Sequence, residues 1–224
     1  MAIEFKEKMN VKKAKAELRS EIWRILMEKK VALPPFPIEG RIPNFRGSEK
    51  ALENLRNLDL WKGASVILIN PDAAQRLVRE AALREGKTLI VATPRLKRGY
   101  VRLSPKQVKG KERFASTIKG MLSLGEPIKL EELEKLDLVI EGSVAVDLKG
   151  NRLGKGGGYG DREIKEARKL FPRVIVATLV HDLQVVEEVP REEHDQKVDL
   201  IITPSRVIFV GSHPPYIASS RGEN

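Results

Sequence analysis

The chain has 224 residues, 41% hydrophobic and 32% charged, with a formal net charge of +10, which allows a sizeable core in one large or two small domains. It has no cysteine, which excludes disulfides, thiolate nucleophiles and cysteine zinc sites, and its three histidines (His181, His194 and His213) leave little for a histidine metal cluster. No apolar stretch is long enough to cross a membrane and the charged N-terminus lacks an apolar signal core, so a soluble, cytoplasmic protein with no membrane partner is expected.

In chain order, Val11, Ala14, Leu18, Ile22, Ile25 and Leu26 recur at helical spacing behind Asn10, a candidate N-cap, and predict an amphipathic helix ending near Lys30. Pro34, Pro35, Pro37 and the segment 41–47 break the pattern, and Ser48 then opens a short helix to about Asn57. A buried strand at 65–69, a helix from Pro71-Asp72 to Arg84 ended by Gly86, and a strand at 88–92 make one βαβ unit. Beyond a basic loop the spacing predicts helices at 112–122 and 130–136 and a strand at 138–146. A glycine-rich turn leads to a helix at 163–171, and strands follow at 174–180, 198–202 and 207–210. Apolar strands separated by helices imply an α/β fold, a mainly parallel sheet with helices on both faces. Residues 1–211 read as a single domain, with 212–224 a poorly ordered tail. The high charge and lack of cysteine incline the composition towards proteins of hot environments.

The segment Gly150-Asn-Arg-Leu-Gly-Lys-Gly-Gly-Gly-Tyr-Gly-Asp-Arg162 has the make-up of a phosphate cradle. Gly154, Gly156, Gly157 and Gly158 let backbone N–H groups approach an anion, and the following helix directs its positive end there. Arg152, Lys155 and Arg162 add charge, and Asp161 offers a carboxylate for a cation bridging phosphates. Neither a Walker loop nor a dinucleotide fingerprint fits the spacing, and a flexible surface hairpin is the bland alternative. Two basic clusters, Lys6 to Arg19 and Arg95 to Arg113, raise the question of RNA. The sparse aromatic interleaving and absence of RNA-binding motifs favour a solvated face or an anionic small-molecule site instead.

Together, 147–162, Val180-His-Asp-Leu-Gln-Val-Val186, Val189-Pro-Arg-Glu-Glu-His-Asp-Gln-Lys-Val-Asp199, Ile202-Thr-Pro204 and Lys15-Ala-Glu-Leu-Arg19 resemble the 5-formyltetrahydrofolate cyclo-ligase (methenyltetrahydrofolate synthetase) family. The resemblance implies a Rossmann-like three-layer αβα sandwich and the use of ATP and magnesium to convert 5-formyltetrahydrofolate into 5,10-methenyltetrahydrofolate. Lys15 and Arg19, at i and i+4 on one helix face, would reach the triphosphate, although by themselves they read as ordinary surface charge. With Lys155 they would neutralise the transferring phosphoryl group. Arg152, Gly154, Lys155, Gly156, Gly157, Gly158, Tyr159 and Arg162 would bind ATP, while Asp161 and Asp195 match the magnesium positions. Asp161 also reads as an N-cap for a helix beginning at Arg162. His194 stands beside Asp195 to orient it; His181 reads as a strand-end histidine and Asp199 as structural.

The family's paired tyrosine is Tyr159-Gly160 here, its substrate-side glutamate has no counterpart in 68–73, and its pterin-binding stretch is replaced by 92–100. Arg41-Ile-Pro-Asn-Phe-Arg-Gly-Ser48 and Thr93-Pro-Arg-Leu96 resemble a divergent branch, the methenyltetrahydrofolate synthetase domain-containing proteins. Turnover of 5-formyltetrahydrofolate is therefore expected to be weak or absent. Tyr159, Arg95 and Arg98 are expected to contact the small anionic substrate, because loops at the C-terminal ends of parallel strands hold ligands. The alternative is a repurposed nucleotide-binding protein that engages RNA through its basic surface.

Overall fold

Runs such as Val66-Ile-Leu-Ile69 and Leu138-Val-Ile140 carry no polar alternation, the pattern of strands covered on both faces. In the computed structural model, which describes the backbone of residues 2–211 and the side chains of 9–211 except Arg95, these runs form the middle of the sheet. The chain begins with α1 (Ala2–Glu28), a small hairpin of β1 (Ala32–Leu33) and β2 (Asn44–Phe45), and helices α2 (Ser48–Asn57) and α3 (Asp59–Gly63). Then come β3 (Val66–Ile69), α4 (Arg76–Arg84), β4 (Thr88–Ala92), β5 (Tyr100–Leu103), α5 (Pro105–Val108), α6 (Glu112–Ala115), α7 (Ile118–Leu124) and β6 (Glu126–Ile128). The rest is β7 (Leu138–Ile140), β8 (Ala145–Asp147), β9 (Arg152–Leu153), α8 (Tyr159–Leu170), β10 (Ile175–Leu179), β11 (Val185–Val186), β12 (Leu200–Ile202) and β13 (Val207–Phe209).

Eight strands pair in the order β13-β12-β10-β7-β3-β4-β5-β6. The five from β12 to β4 are parallel, and β13, β5 and β6 add antiparallel edges. Alternate side chains enter opposite layers. Ile67 and Ile69 pack with α2, α3 and α4, whereas Leu68 and Val139 pack with Ile164 and Ala167 of α8. The fold is thus a Rossmann-like three-layer αβα sandwich. A third cluster joins Ile22, Trp23 and Leu26 of α1 to Ala145 and Leu153 of a small sheet, β11-β8-β9, beside the main one. No described helix is long and apolar enough to cross a membrane.

Several expectations need correction. Helix α1 starts at Ala2, so Asn10 lies inside it and caps nothing. The apolar run 138–146 is two strands: β7 ends at Ile140 and β8 belongs to the small sheet. Both halves are buried, so hydrophobicity carries no mark of the crossing. Gly142 marks it, because a Cβ there would lie 2.9 Å from Ile42. The helix expected at 112–122 breaks at Ser116-Thr117, where the buried Arg79 side chain bonds the Ser116 carbonyl and Thr117 caps α7. The helix expected from Pro71 begins at Arg76 behind a 3-10 turn (Ala73–Gln75), and 130–136 holds only another such turn, Leu130–Glu132. Strands β5 and β6 escape detection because they lie at the sheet edge, where Arg102 pairs with Glu126 at 2.8 Å and dilutes the apolar signal. Helix α8 begins at Tyr159, four residues before its apolar face becomes regular. The tail 212–224, with His213, lies outside the described residues.

Candidate functional site

The sheet changes direction between β3 and β7: the chain builds outward from β3 to β4 on one side and from β7 to β10 and β12 on the other. In open α/β sheets that point leaves a crevice at the C-terminal strand ends. Here a cavity of about 580 Å³ opens there, and the residues following β3, β7 and β4 (Asn70, Glu141 and Thr93) all line it. Asn70 Nδ2 donates to Glu141 Oε1 at 2.8 Å. The turn after β3 is held by Arg79, which is 1% exposed and donates to the carbonyls of Asn70 (2.6 Å) and Asp72 (2.9 Å). Burial lowers its guanidinium to about 10.

The glycine-rich segment forms the cavity's outer wall. Strand β9 points Arg152 into the interior, where Nη2 pairs with Asp161 Oδ1 at 2.9 Å. Gly154, Gly157 and Gly158 line the cavity, Gly156 and Gly158 take φ of +105° and +68°, and α8 starts at Tyr159. Those two backbone angles are open to glycine and strained for other residues. No side chain caps the α8 N-terminus, so the N-cap reading of Asp161 does not hold; Asp161 stands in the first turn and accepts from Gln196 N at 2.9 Å. Lys155 is exposed and ion-pairs with Asp72, while Arg162, also exposed, lies over the Tyr159 ring at 5.7 Å.

Helix α1 reaches the same loop. Arg19 Nε donates to the Gly154 carbonyl at 2.7 Å, and one turn earlier the buried Lys15 ammonium sits 2.6 Å from Asp195 Oδ2 and 2.9 Å from Glu192 Oε2. Burial lowers the Arg19 pKa, with Asp195 opposing. Burial pushes the Asp195 carboxyl up, but Lys15 and the Glu192 N–H outweigh it and hold it below the usual range; Lys15 does the same to Glu192. His194 Nε2 is 3.8 Å from Asp195 Oδ1, and Glu192, His194 and Asp195 bring three ligand atoms within 4.8 Å of one another. Asp161 takes both contacts on Oδ1 and Asp195 its short ones on Oδ2, so each keeps an oxygen outside these bonds, which suits a cation that prefers carboxylate oxygen.

The structure therefore gathers Lys15, Arg19, Arg152, the glycines, Lys155, Tyr159, Asp161 and Asp195 around one loop. Arg98 is exposed, and it is Thr93 and Pro94 of that turn, not Arg98, that line the cavity; the Arg95 side chain lies outside the described residues. His181 is structural, its Nδ1 accepting from Leu183 N at 3.1 Å, and so is Asp199, which accepts from Val176 N at 2.8 Å and pairs with Arg168. Sequence reasoning missed Asn70, Glu141 and Glu163. Glu141 had a signal, a lone carboxylate directly after three apolar strand residues; Glu163 had none beyond its place one turn into α8. Both glutamates are 4% exposed, and each has an Oε2 without a hydrogen-bond partner, as has Asn70 Oδ1. Burial raises the Glu141 pKa against Arg152 and Asn70, and raises that of Glu163 further with the help of the Glu141 charge.

The sequence model of the 5-formyltetrahydrofolate cyclo-ligase family matches residues 11–204. The methenyltetrahydrofolate synthase domain-containing protein of Bos taurus is 39% identical over 210 residues, 90% of this chain and 55% of that protein. The 5-formyltetrahydrofolate cyclo-ligase of Mycolicibacterium smegmatis is 31% identical over 103 residues, 44% of this chain and 52% of that one. The chain spans about half the length of these curated relatives. The NMR structure of Aquifex aeolicus 5,10-methenyltetrahydrofolate synthetase superimposes with a TM-score of 0.59 at 24% identity, covering 93% of this chain and 99% of that one, and shares the fold.

Proposed function

The chain belongs to the 5-formyltetrahydrofolate cyclo-ligase family, and from that premise we propose that it is an ATP- and magnesium-dependent ligase acting on 5-formyltetrahydrofolate or a related small anionic substrate. The observation that carries this reading is the convergence of α1 on the cradle and on the acidic segment beside it: Arg19 on the Gly154 carbonyl and Lys15 on Asp195, across 135 and 180 residues of sequence. A flexible hairpin has no reason to be fastened at its entry to a distant helix by a guanidinium. ATP supplies the phosphoryl group that turns a formamide oxygen into a leaving group, so that an amine of the same molecule can close the ring.

The chain's own contribution is position and charge. Backbone N–H groups of Gly156 to Tyr159 and the α8 N-terminus would hold the anionic oxygens of ATP, and Arg19, Lys15, Arg152 and Lys155 would offset the charge that builds on the transferring group. Asp161 and Asp195 are the carboxylates that would hold magnesium, with Glu192 beside Asp195. No nucleophile is required of the protein, which accords with a chain lacking cysteine.

Calorimetric titration tests the reading. ATP with magnesium is expected to bind more tightly than ATP in chelator, and Asp161→Asn to weaken the magnesium-dependent part by about 1.5–3 kcal/mol. Absence of ATP binding would overturn the assignment. Absorbance of the methenyl product is expected to rise only slowly with 5-formyltetrahydrofolate, because Gly160 removes one aromatic contact and the 68–73 segment offers no substrate glutamate.

A further inference from the structure

Arg79 is buried on α4, and it does not line the cavity. Its partners are three main-chain carbonyls: Nη1 donates to Asn70 at 2.6 Å and Asp72 at 2.9 Å, and Nε to Ser116 at 2.9 Å. The group stays charged there, because burial lowers it only to about 10 and the Asp72 charge opposes the fall. Taking a cation out of water onto neutral acceptors is costly, and an apolar side chain of similar length would fill the space without that cost. What an apolar side chain could not do is fix the turn after β3 and the α6–α7 junction to one rigid planar fork.

The turn so fixed carries a carboxylate that meets the cradle. Asp72 Oδ1 pairs with Lys155 Nζ across 83 residues of sequence, and both residues line the cavity. With the lysine side chain 40% exposed, the pair adds only about 0–1 kcal/mol to folding. Its consequence is geometric. Lys155 stands between Gly154 and Gly156, in a loop whose backbone does nothing to confine a four-carbon side chain. An ammonium has three donors, so Asp72 takes one and leaves two for an anion. Arg19 fixes the entry of the loop through the Gly154 carbonyl, and Asp72 fixes the head of the next side chain.

We propose that Arg79 and Asp72 are positioning residues for Lys155: Arg79 fixes the turn that carries Asp72, and Asp72 aims the lysine ammonium at phosphate oxygens in the cradle. The proposal deepens the ligase reading and rests on it in taking phosphate as the anion. It predicts a sign that simple electrostatics does not. A carboxylate on the cavity wall repels triphosphate, so by charge alone its removal would tighten ATP binding; if it aims Lys155, its removal weakens binding as long as the lysine is present.

The full chain is titrated with ATP and magnesium by calorimetry, each variant being shown folded by circular dichroism. Asp72→Asn and Arg79→Met are each expected to weaken ATP binding about tenfold. In a Lys155→Met background the same changes are expected to leave affinity unchanged or slightly tighter, because no ammonium remains to be aimed. Equal losses in the two backgrounds would mean general damage to the cavity and overturn the proposal. So would Asp72→Asn binding ATP as tightly as the unmodified chain or more tightly, a result that stands whether or not Arg79→Met folds. A second readout needs no nucleotide: acylation of Lys155 by an amine-reactive ester, followed by peptide mass spectrometry, is expected to run about threefold faster in Asp72→Asn. An unchanged rate overturns the positioning of Lys155. If the unmodified chain does not bind ATP but the acylation rate rises as expected, the ligase reading fails and the hold of Asp72 on Lys155 stands.

Discussion

Gly160 has no side chain because Glu141 occupies its space. A Cβ built at 160 would lie 2.5 Å from Glu141 Oε1 and 2.8 Å from Arg152 Nη2. Those atoms end long side chains, but neither is free to swing: Glu141 is held by Asn70 and Arg152 by Asp161. Glycine at 160, where the family resemblance puts a second tyrosine, therefore leaves the space that the Glu141 carboxyl fills. In an unobstructed helix, alanine at 160 would stabilise by up to about 1 kcal/mol over glycine. Here Gly160→Ala is expected to lower unfolding free energy by about 1–2 kcal/mol in urea titrations, the cost of overpacking, and to become neutral or stabilising in a Glu141→Ala background. Equal effects in the two backgrounds would show that Glu141 is not the source of the cost.

At the scale of elements, α1 does more than cover the small sheet with Ile22, Trp23 and Leu26. Its Arg19 fixes the entry of the cradle through the Gly154 carbonyl, at 2.7 Å. Removing that contact in Arg19→Ala frees the loop and deletes a cation, and ATP affinity is expected to fall by about 1.5–3 kcal/mol, roughly 10- to 100-fold. Titration checks this, together with faster hydrogen exchange of the 156–158 amides; unchanged values in both would detach α1 from nucleotide binding. The helical spacing of α1 was legible because Leu18, Ile22 and Leu26 repeat with its period. That Lys15 is buried was not, since a lysine on a helix is ordinarily a solvated residue and only the facing Glu192 and Asp195 make its burial tolerable. The split of 138–146 into β7 and β8 was illegible for a similar reason: both pieces are equally apolar, and their partners differ only in space.

For the molecule as a whole, the buried glutamates shape the pH dependence of folding. A carboxyl whose pKa is raised in the folded state binds more protons there than when unfolded, so its share of stability is intact below the unfolded value, about 4.3, and is lost as pH rises through the folded one. Glu163, raised by burial and by Glu141, is such a group. Glu163→Gln is therefore expected to melt higher than the unmodified chain at pH 7 to 8, with the gap closing as pH falls to about 4 and below, where the glutamate becomes mostly neutral in the unfolded state as well. Asp195 and Glu192 act in the opposite direction, their stabilisation failing as pH falls, and they cancel in this comparison because both proteins carry them. A gap that persists at pH 4 would mean that packing, and not ionisation, sets the difference.

By itself the sequence determined what is local: strands covered on both faces, a glycine turn open to an anion, a pair of cations one helical turn apart. These follow from periods of two and 3.6 residues and from the backbone freedom of glycine, which a neighbour far along the chain cannot change. Tertiary structure alone decided where the chemistry sits. Asn70 and Glu141 are 71 residues apart and meet because β3 and β7 are neighbours at the point where the sheet reverses its order. Whether a glutamate is a solvated surface charge or a buried carboxyl seeking a donor depends on what surrounds it, and only the packed sheet and α8 supply those surroundings.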